Sequence, residues 1–259
     1  MFKAPLDLSQ ARVLISNDDG VHATGIKVLE EAIRPLVKEV WVVAPESEQS
    51  GAGHSLTLRN PLRYRKVKDY WYAVDGTPTD AVLVAARQIL KDKQPDLILS
   101  GINRGANLGE DATYSGTVSA AMEGTLLGIP SIAISQIIAG GKTKWATSAH
   151  YIPEIVQKLT SVPWSKSVLM NVNIPAVDAD EVSGLEITRQ GRRRIGGAMV
   201  EQTDPRGMPI YWIGIQREHE GQSDDTDLSA INRNAIAITP LSMEMTHEGM
   251  MGDLKQVFP

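Results

Sequence analysis

The chain has 259 residues, 42% of them hydrophobic and 22% charged, which suits one large soluble domain or a domain with an extension. A formal net charge of −5 leaves no basic footprint for a nucleic-acid polymer, and a chain without cysteine has no disulfide, thiolate metal site or cysteine nucleophile. The first ten residues lack an apolar core of signal-peptide length, and no stretch is apolar enough to span a bilayer. The expectation is a cytoplasmic enzyme or binding protein with no membrane partner.

In chain order, residues 12–16 form an apolar run that reads as a buried strand ending at Ser16-Asn17-Asp18-Asp19-Gly20. Adjacent side chains in a strand point to opposite faces, so Asp18 and Asp19 can converge only where the strand has ended and Gly20 lets the chain bend. Converging carboxylates repel unless a cation sits between them, which points to a hard-metal site. An Asp-Gly turn with solvated acids fits the same residues. Gly25 to Leu36 has Ile26, Leu29, Ile33 and Leu36 roughly at helical spacing, with Pro35 at its end. Val40 to Ala44 is a second strand closed by Pro45, which makes a βαβ unit with a right-handed crossover. The polar loop 46–55, with Ser50 and His54, then lies on the same sheet edge as the two acids.

Leu62 to Val67 alternates and predicts an exposed strand, paired with Tyr70–Val74. Asp75-Gly76-Thr77-Pro78-Thr79-Asp80 starts a helix, with Thr77 as N-cap, Pro78 first and Asp80 in the capping-box place. Asp80 therefore reads as a helix-start residue rather than a catalyst. Pro95 to Ser100 is a third buried strand, opening into the glycine-rich loop 101–109. A helix from Val118 to about Leu127, a strand Ser131–Ser135, a helix around 145–160 and a strand Val168–Ile174 follow. From about 185 the texture changes to short β-like runs (Leu185–Arg189, Ile210–Gly214, Ala235–Thr239), with Tyr211 and Trp212 among polar loops. The expected organisation is an α/β core over 11–184 and a C-terminal extension over 185–259, which packs on the core or on a second subunit.

Three strand-end loops thus share one edge. They carry Asp18 and Asp19, then Ser50, then Asn103 and Asn107. Carboxylate, hydroxyl and amide oxygens are hard ligands that suit Mg²⁺ or Mn²⁺. Ser115-Gly116-Thr117 precedes a helix, whose N-terminal N–H groups and dipole suit a phosphate, although plain capping by Ser115 or Thr117 explains the same residues. His54 can face the site or serve as a structural hydrogen-bonder. There is no P-loop pattern, no dinucleotide Gly-x-Gly-x-x-Gly after the first strand, and no Gly-x-Ser-x-Gly nucleophile elbow.

A set of ordered motifs goes further. It comprises Ser16-Asn17-Asp18-Asp19-Gly20, Val42-Val43-Ala44-Pro45 leading to Ser50-Gly51-Ala52-Gly53-His54-Ser55, the segment Asp75 to Asp80, and Ser100 to Asn107. Tyr114-Ser115-Gly116-Thr117-Val118 and Asn171-Val172-Asn173-Ile174-Pro175 follow, then Thr188 to Arg193 and Ile238-Thr239-Pro240-Leu241. The chain resembles the SurE family of survival-protein 5′/3′-nucleotidases. The resemblance implies a Rossmann-like, mostly parallel sheet sandwiched by helices, with a β-rich C-terminal extension used in homodimers or tetramers. It implies hydrolysis of nucleoside 5′-monophosphates, and of 3′-monophosphates, by metal-activated water; some members also cut short polyphosphate. It assigns one divalent ion per subunit, Mg²⁺ or Mn²⁺, to Asp18, Asp19, Ser50 and Asn103. It assigns phosphate contacts to Asn107, Ser115, Gly116 and Thr117. Asp18 is the favoured catalytic residue. Because fold alone does not establish chemistry, a non-catalytic nucleotide-sensing module on the same fold remains the alternative. A structural dimer that recruits a partner through its aromatic C-terminal region is a third reading.

Overall fold

The computed structural model describes residues 1–195, 199–213, 217–219 and 223–258. Its first strand, β1 (Arg12–Ser16), leads through helix α1 (Thr24–Ile33) to β2 (Glu39–Pro45), and β1 and β2 pair in parallel as the pattern predicts. Leu14 faces one side of the sheet, and Val13 and Ile15 face the other; all three are fully buried. Helices must therefore cover both faces.

β3 (Tyr64–Lys68) and β4 (Trp71–Val74) form an antiparallel pair, with β4 parallel to β2. Helix α2 (Pro78–Val84) follows, and a π-helical turn over Ala85–Ile89 extends it. Its capping box is complete, with Thr77 and Asp80 each accepting a backbone N–H from the other. Asp80 also accepts the Thr57 amide at 3.0 Å and the Thr57 hydroxyl at 2.6 Å, so this buried carboxylate anchors the loop over α2 as well as starting the helix.

After α2 the chain crosses to the far side of β1. There β5 (Leu97–Arg104) pairs in parallel with β1, aligning Ser100 with Ser16. Helix α3 (Gly116–Leu126), β6 (Ser131–Gln136), a small hairpin of β7 (Ile138–Ala139) and β8 (Lys142–Thr143), helix α4 (Trp145–Thr160) and β9 (Val168–Ile174) come next. α1 packs with α4 on one face and α2 with α3 on the other.

The last part holds β10 (Gly184–Ile187), β11 (Arg193–Ile195), β12 (Met199–Thr203), β13 (Pro209–Ile213), β14 (Arg217–His219), α5 (Asp227–Asn232), β15 (Ala235–Ser242) and α6 (Glu248–Val257). β15 pairs antiparallel with β9, and β10 joins β15, giving a nine-stranded sheet ordered β10-β15-β9-β6-β5-β1-β2-β4-β3. The expected run over 210–214 is observed as β13 to Ile213, and Gly214 lies outside the described residues. Every residue of β12 and β13 is exposed, and α6 buries none of its own. Neither α5 nor α6 was read from the sequence. Among the described residues no helix is long and apolar enough to cross a membrane.

The order of the sheet decides where a site can form. The chain builds outward from β1 to β2 and β4, then returns to build β5, β6 and β9 on the other side. Strand order therefore reverses between β1 and β5, and ligands of open α/β sheets bind in the crevice at such a switch point, beyond the carboxyl ends of the strands. Asp80→Ala removes a carboxylate that accepts three hydrogen bonds at the entrance to α2. It is expected to cost about 2–4 kcal/mol of stability, read as a lower denaturant midpoint with an unchanged slope.

Candidate active site at the ends of β1, β2 and β5

The turn after β1 is held from several sides. Asn17 Nδ2 donates to Gly20 O at 3.0 Å, the Gln49 amide donates to Asp18 O at 2.8 Å and the Val21 amide to Pro45 O at 2.8 Å. Gly20 has φ +95°, in the left-handed region, and a Cβ there would press against the Ser47 backbone at 3.3 Å. Gly53 N donates to Tyr114 O, so the loop after β2 is tied to the approach to α3. The three strand-end loops are therefore stitched by backbone bonds and do not wave independently.

Asp18 is buried at 4% exposure, and its Oδ1 accepts from the Thr117 hydroxyl. Gly116 makes this approach feasible, because a Cβ at that position would lie 2.7 Å from the Asp18 Cβ. Burial, with Asp19 as a further repelling charge, pushes the Asp18 carboxyl up from 3.8 to about 6. Asp19 is also raised, first by burial and then by Glu48, against the pull of the Arg104 amide, which donates to Asp19 Oδ2 at 3.0 Å.

A cleft of about 230 Å³ brings Asp18, Ser50, Asn103, Asn107 and Ser115 together, with Arg104, Asp111 and Tyr114 in its wall. Asp19 lines the adjoining cleft of about 350 Å³ with Glu48 and Trp145, and Ser50 and Arg104 are common to both. Of the residues expected for phosphate, Asn107 and Ser115 line the first cleft. Thr117 is fully buried with its hydroxyl given to Asp18, and Gly116 lies against the Asp18 side chain. Ser115 is the N-cap of α3, and its Oγ accepts the Val118 amide at 3.0 Å. Ser50 is exposed and its hydroxyl donates to Glu48 at 2.8 Å. His54 meets Glu123 at 3.1 Å, as a structural hydrogen-bonder does.

Asn107 is the most firmly placed of these groups. Its amide N–H donates to Asn173 Oδ1 at 2.9 Å, and its carbonyl accepts from Asn171 and Asn173 at 2.8 and 3.0 Å. Its side-chain Nδ2 donates to Ser135 Oγ at 2.8 Å. Asn171 and Asn173 are two apart on β9 and so share a face. They appeared in the sequence only as part of a motif, without a role. Arg104 and Asp111 were not singled out either; Asp111 lies 3.4 Å from the buried Arg193 guanidinium.

The donor set fits a hard divalent cation. Two carboxylates with raised pKa values sit at one strand end, and among the described residues neither forms an ion pair with a lysine or arginine side chain. Their neighbours are a hydroxyl and an amide, the oxygen types that Mg²⁺ and Mn²⁺ take. No group of three or more His, Cys, Asp or Glu that could hold a metal occurs among the described residues, so any ion here would rest on the mixed set.

Residues 13–197 match the family model described as survival protein SurE. A protein of Paramagnetospirillum magneticum named 5′-nucleotidase SurE is 56% identical over 258 residues, covering 99% of each chain. One of Rhodospirillum rubrum with the same name is 50% identical over 250 residues, covering 95% of each. The crystal structure of the SurE protein from Aquifex aeolicus superposes with a TM-score of 0.84 at 42% identity, covering 96% of this chain and all of that one.

The raised pKa of Asp18 has a definite sign in stability. Below about 4 the group is protonated in folded and unfolded chains alike, and its burial carries no charge penalty. As pH rises through about 6, the folded state must take up a buried charge and loses stability. With chelator present, Asp18→Asn is therefore expected to be more stable than wild type at pH 8 by up to about 3 kcal/mol, the advantage disappearing towards pH 4. Thermal unfolding across that range tests it, and Mn²⁺ at pH 8 is expected to raise the midpoint of wild type but not of the variant.

Proposed function

The chain belongs to the SurE family and is a phosphoric monoester hydrolase of the 5′-nucleotidase kind, and from that premise we propose that the β1–β2–β5 cleft hydrolyses nucleoside monophosphates with one divalent cation per subunit. The observation that carries this reading is the pair of adjacent carboxylates at a strand-order switch point, Asp18 buried and Asp19 half-buried, neither in an ion pair with a lysine or arginine side chain among the described residues, with Asp18 lining a cleft that also holds two asparagines and the start of a helix. Asp18, Asp19, Ser50 and Asn103 would hold the ion, Mg²⁺ or Mn²⁺. When bound, such an ion supplies charge neutralisation for phosphoryl oxygens and acidifies water.

The chain's own groups do the rest. Thr117 fixes Asp18 through Oδ1, leaving Oδ2 for the ion and for orienting the attacking water beside it. Asn107, held by Asn171, Asn173 and Ser135, offers a donor whose position is set before substrate arrives. Ser115 and Gly116, at the N-terminal end of α3, receive the phosphate at the positive end of the helix dipole. Arg104, in the wall of the same cleft, adds a cation against the transferring group.

The proposal extends to 3′-monophosphates and short polyphosphate, which present the same terminal phosphate oxygens, and to action in the cytoplasm. It also takes the chain as an association of subunits, a homodimer or tetramer, through the extension over 185–259. Met199, Tyr211 and Ile213 on one face of the β12–β13 hairpin, and Val200 and Trp212 on the other, are exposed apolar side chains that support this.

The test is phosphate release from a panel of nucleoside monophosphates with Mn²⁺, with Mg²⁺ and with excess chelator. Release is expected with either metal and not with chelator. Asp19→Ala is expected to lose at least 100-fold in kcat/KM, corresponding to about 3 kcal/mol of transition-state stabilisation, while keeping the wild-type circular dichroism. Full turnover in that variant with metal retained would remove this site. Nucleotide binding without phosphate release in the wild type would mark a sensing module instead.

A further inference from the structure

A third cavity, of about 510 Å³, adjoins the cleft at Asp18. Arg104, Gly105 and Ala106 form a wall common to the two. Beyond that wall the lining mixes apolar and polar groups, with Leu108 on the glycine-rich loop, Ile137, Ile138 in β7, Leu228 and Ile231 on α5, and the buried Arg193 at the start of β11. Asn232 closes the rim at the end of α5. A concave lining in which polar groups are set among apolar side chains can hold a small molecule.

The walls are fixed in advance. Asp227, at the start of α5 and only 1% exposed, accepts the Gly109 amide through Oδ2 and the Gly191 amide through Oδ1, each at 2.9 Å. This pins the helix against the loop that carries Leu108. On the other side, the Gly105 amide donates to Gln136 O at 3.0 Å and holds the dividing wall to the end of β6. The cavity is preformed, and a ligand entering it need not order its walls.

We propose that this cavity receives the base of the nucleoside monophosphate, with the sugar crossing the Arg104–Ala106 wall to place the phosphate in the cleft at Asp18. The inference rests on the nucleotidase reading and deepens it. A heterocyclic base has two apolar faces and a polar edge. The partly exposed Ile137, Ile138 and Ile231 side chains suit the faces, and the exposed Asn232 amide, which offers a donor and an acceptor, suits the edge. The cleft on the opposite flank, with Asp19, Glu48 and Trp145, is the competing location. Its apolar side chains are limited to Ala23 and Trp145.

The experiment uses the full chain and adenosine, a nucleoside without a phosphate, titrated by calorimetry. Asn232→Trp fills the cavity from α5, and Ile138→Trp fills it from the opposite wall, in a two-residue strand outside the main sheet. Adenosine is expected to bind wild type and to bind each variant at least tenfold more weakly. The ratio of KM for adenosine 5′-monophosphate to KM for glycerol 2-phosphate is expected to rise by a similar factor. No adenosine binding to wild type at millimolar concentration would overturn the proposal, as would unchanged affinity in both variants. Weakening by Thr24→Trp in the flanking cleft, with neither of the other two affected, would move the base there and also overturn it. Because adenosine binding does not depend on turnover, a failure to hydrolyse any phosphomonoester would count against the nucleotidase reading without deciding this one.

Discussion

Everything in the active region follows from one electrostatic constraint. Two carboxylates lie side by side at the end of β1, Asp18 buried and Asp19 half-buried, and among the described residues no lysine or arginine side chain forms an ion pair with either. A buried charge is costly unless something compensates it. Here the compensation among the described residues is one hydroxyl, a few backbone N–H groups and the attraction of Arg104 for Asp19, and the proposed cation would supply the remainder. The fold permits this because six parallel strands place the loop ends on one edge, and the order reversal between β1 and β5 opens a crevice there. Burial on both faces of the sheet supplies the stability that such a site consumes.

The local features of the fold were legible because their causes are local. The capping box at Thr77 and Asp80, the apolar runs of β1, β2, β6 and β9, and the stop at Gly128-Ile129-Pro130 are each written in a few adjacent residues. The three strand-end loops could be placed on one edge because a right-handed crossover leaves little choice. What was hidden is non-local. Nothing in the run from Ala235 to Ser242 says that it adds to β9 in the antiparallel sense, since its partner lies more than sixty residues away. α6 buries no residue, and its pattern was not strong enough to stand out among polar neighbours.

The same distinction runs through the candidate site. Asp18, Asp19, Ser50 and Asn103 could be gathered by asking which oxygen donors share an edge. Arg104 escaped because the loop was read for its glycines and asparagines, although this arginine borders all three cavities around the site. Asn171 and Asn173 escaped because their work is done on the backbone of Asn107, and a side chain that grips a distant main chain leaves no local trace. Their two-residue spacing on a strand was the available signal. It became meaningful once β9 was known to lie beside β6, where Ser135 holds the Asn107 side chain.

Asp227 joins two parts of the chain that a linear reading keeps apart. One carboxylate oxygen holds the glycine-rich loop next to the phosphate cleft, and the other holds the turn at Gly191 that leads into the exposed C-terminal strands. Motion or damage on either side is therefore felt by the other through a single buried joint. The tail cannot be trimmed back past α5 without loosening the loop that positions Asn107, so the C-terminal third is part of the cleft's architecture.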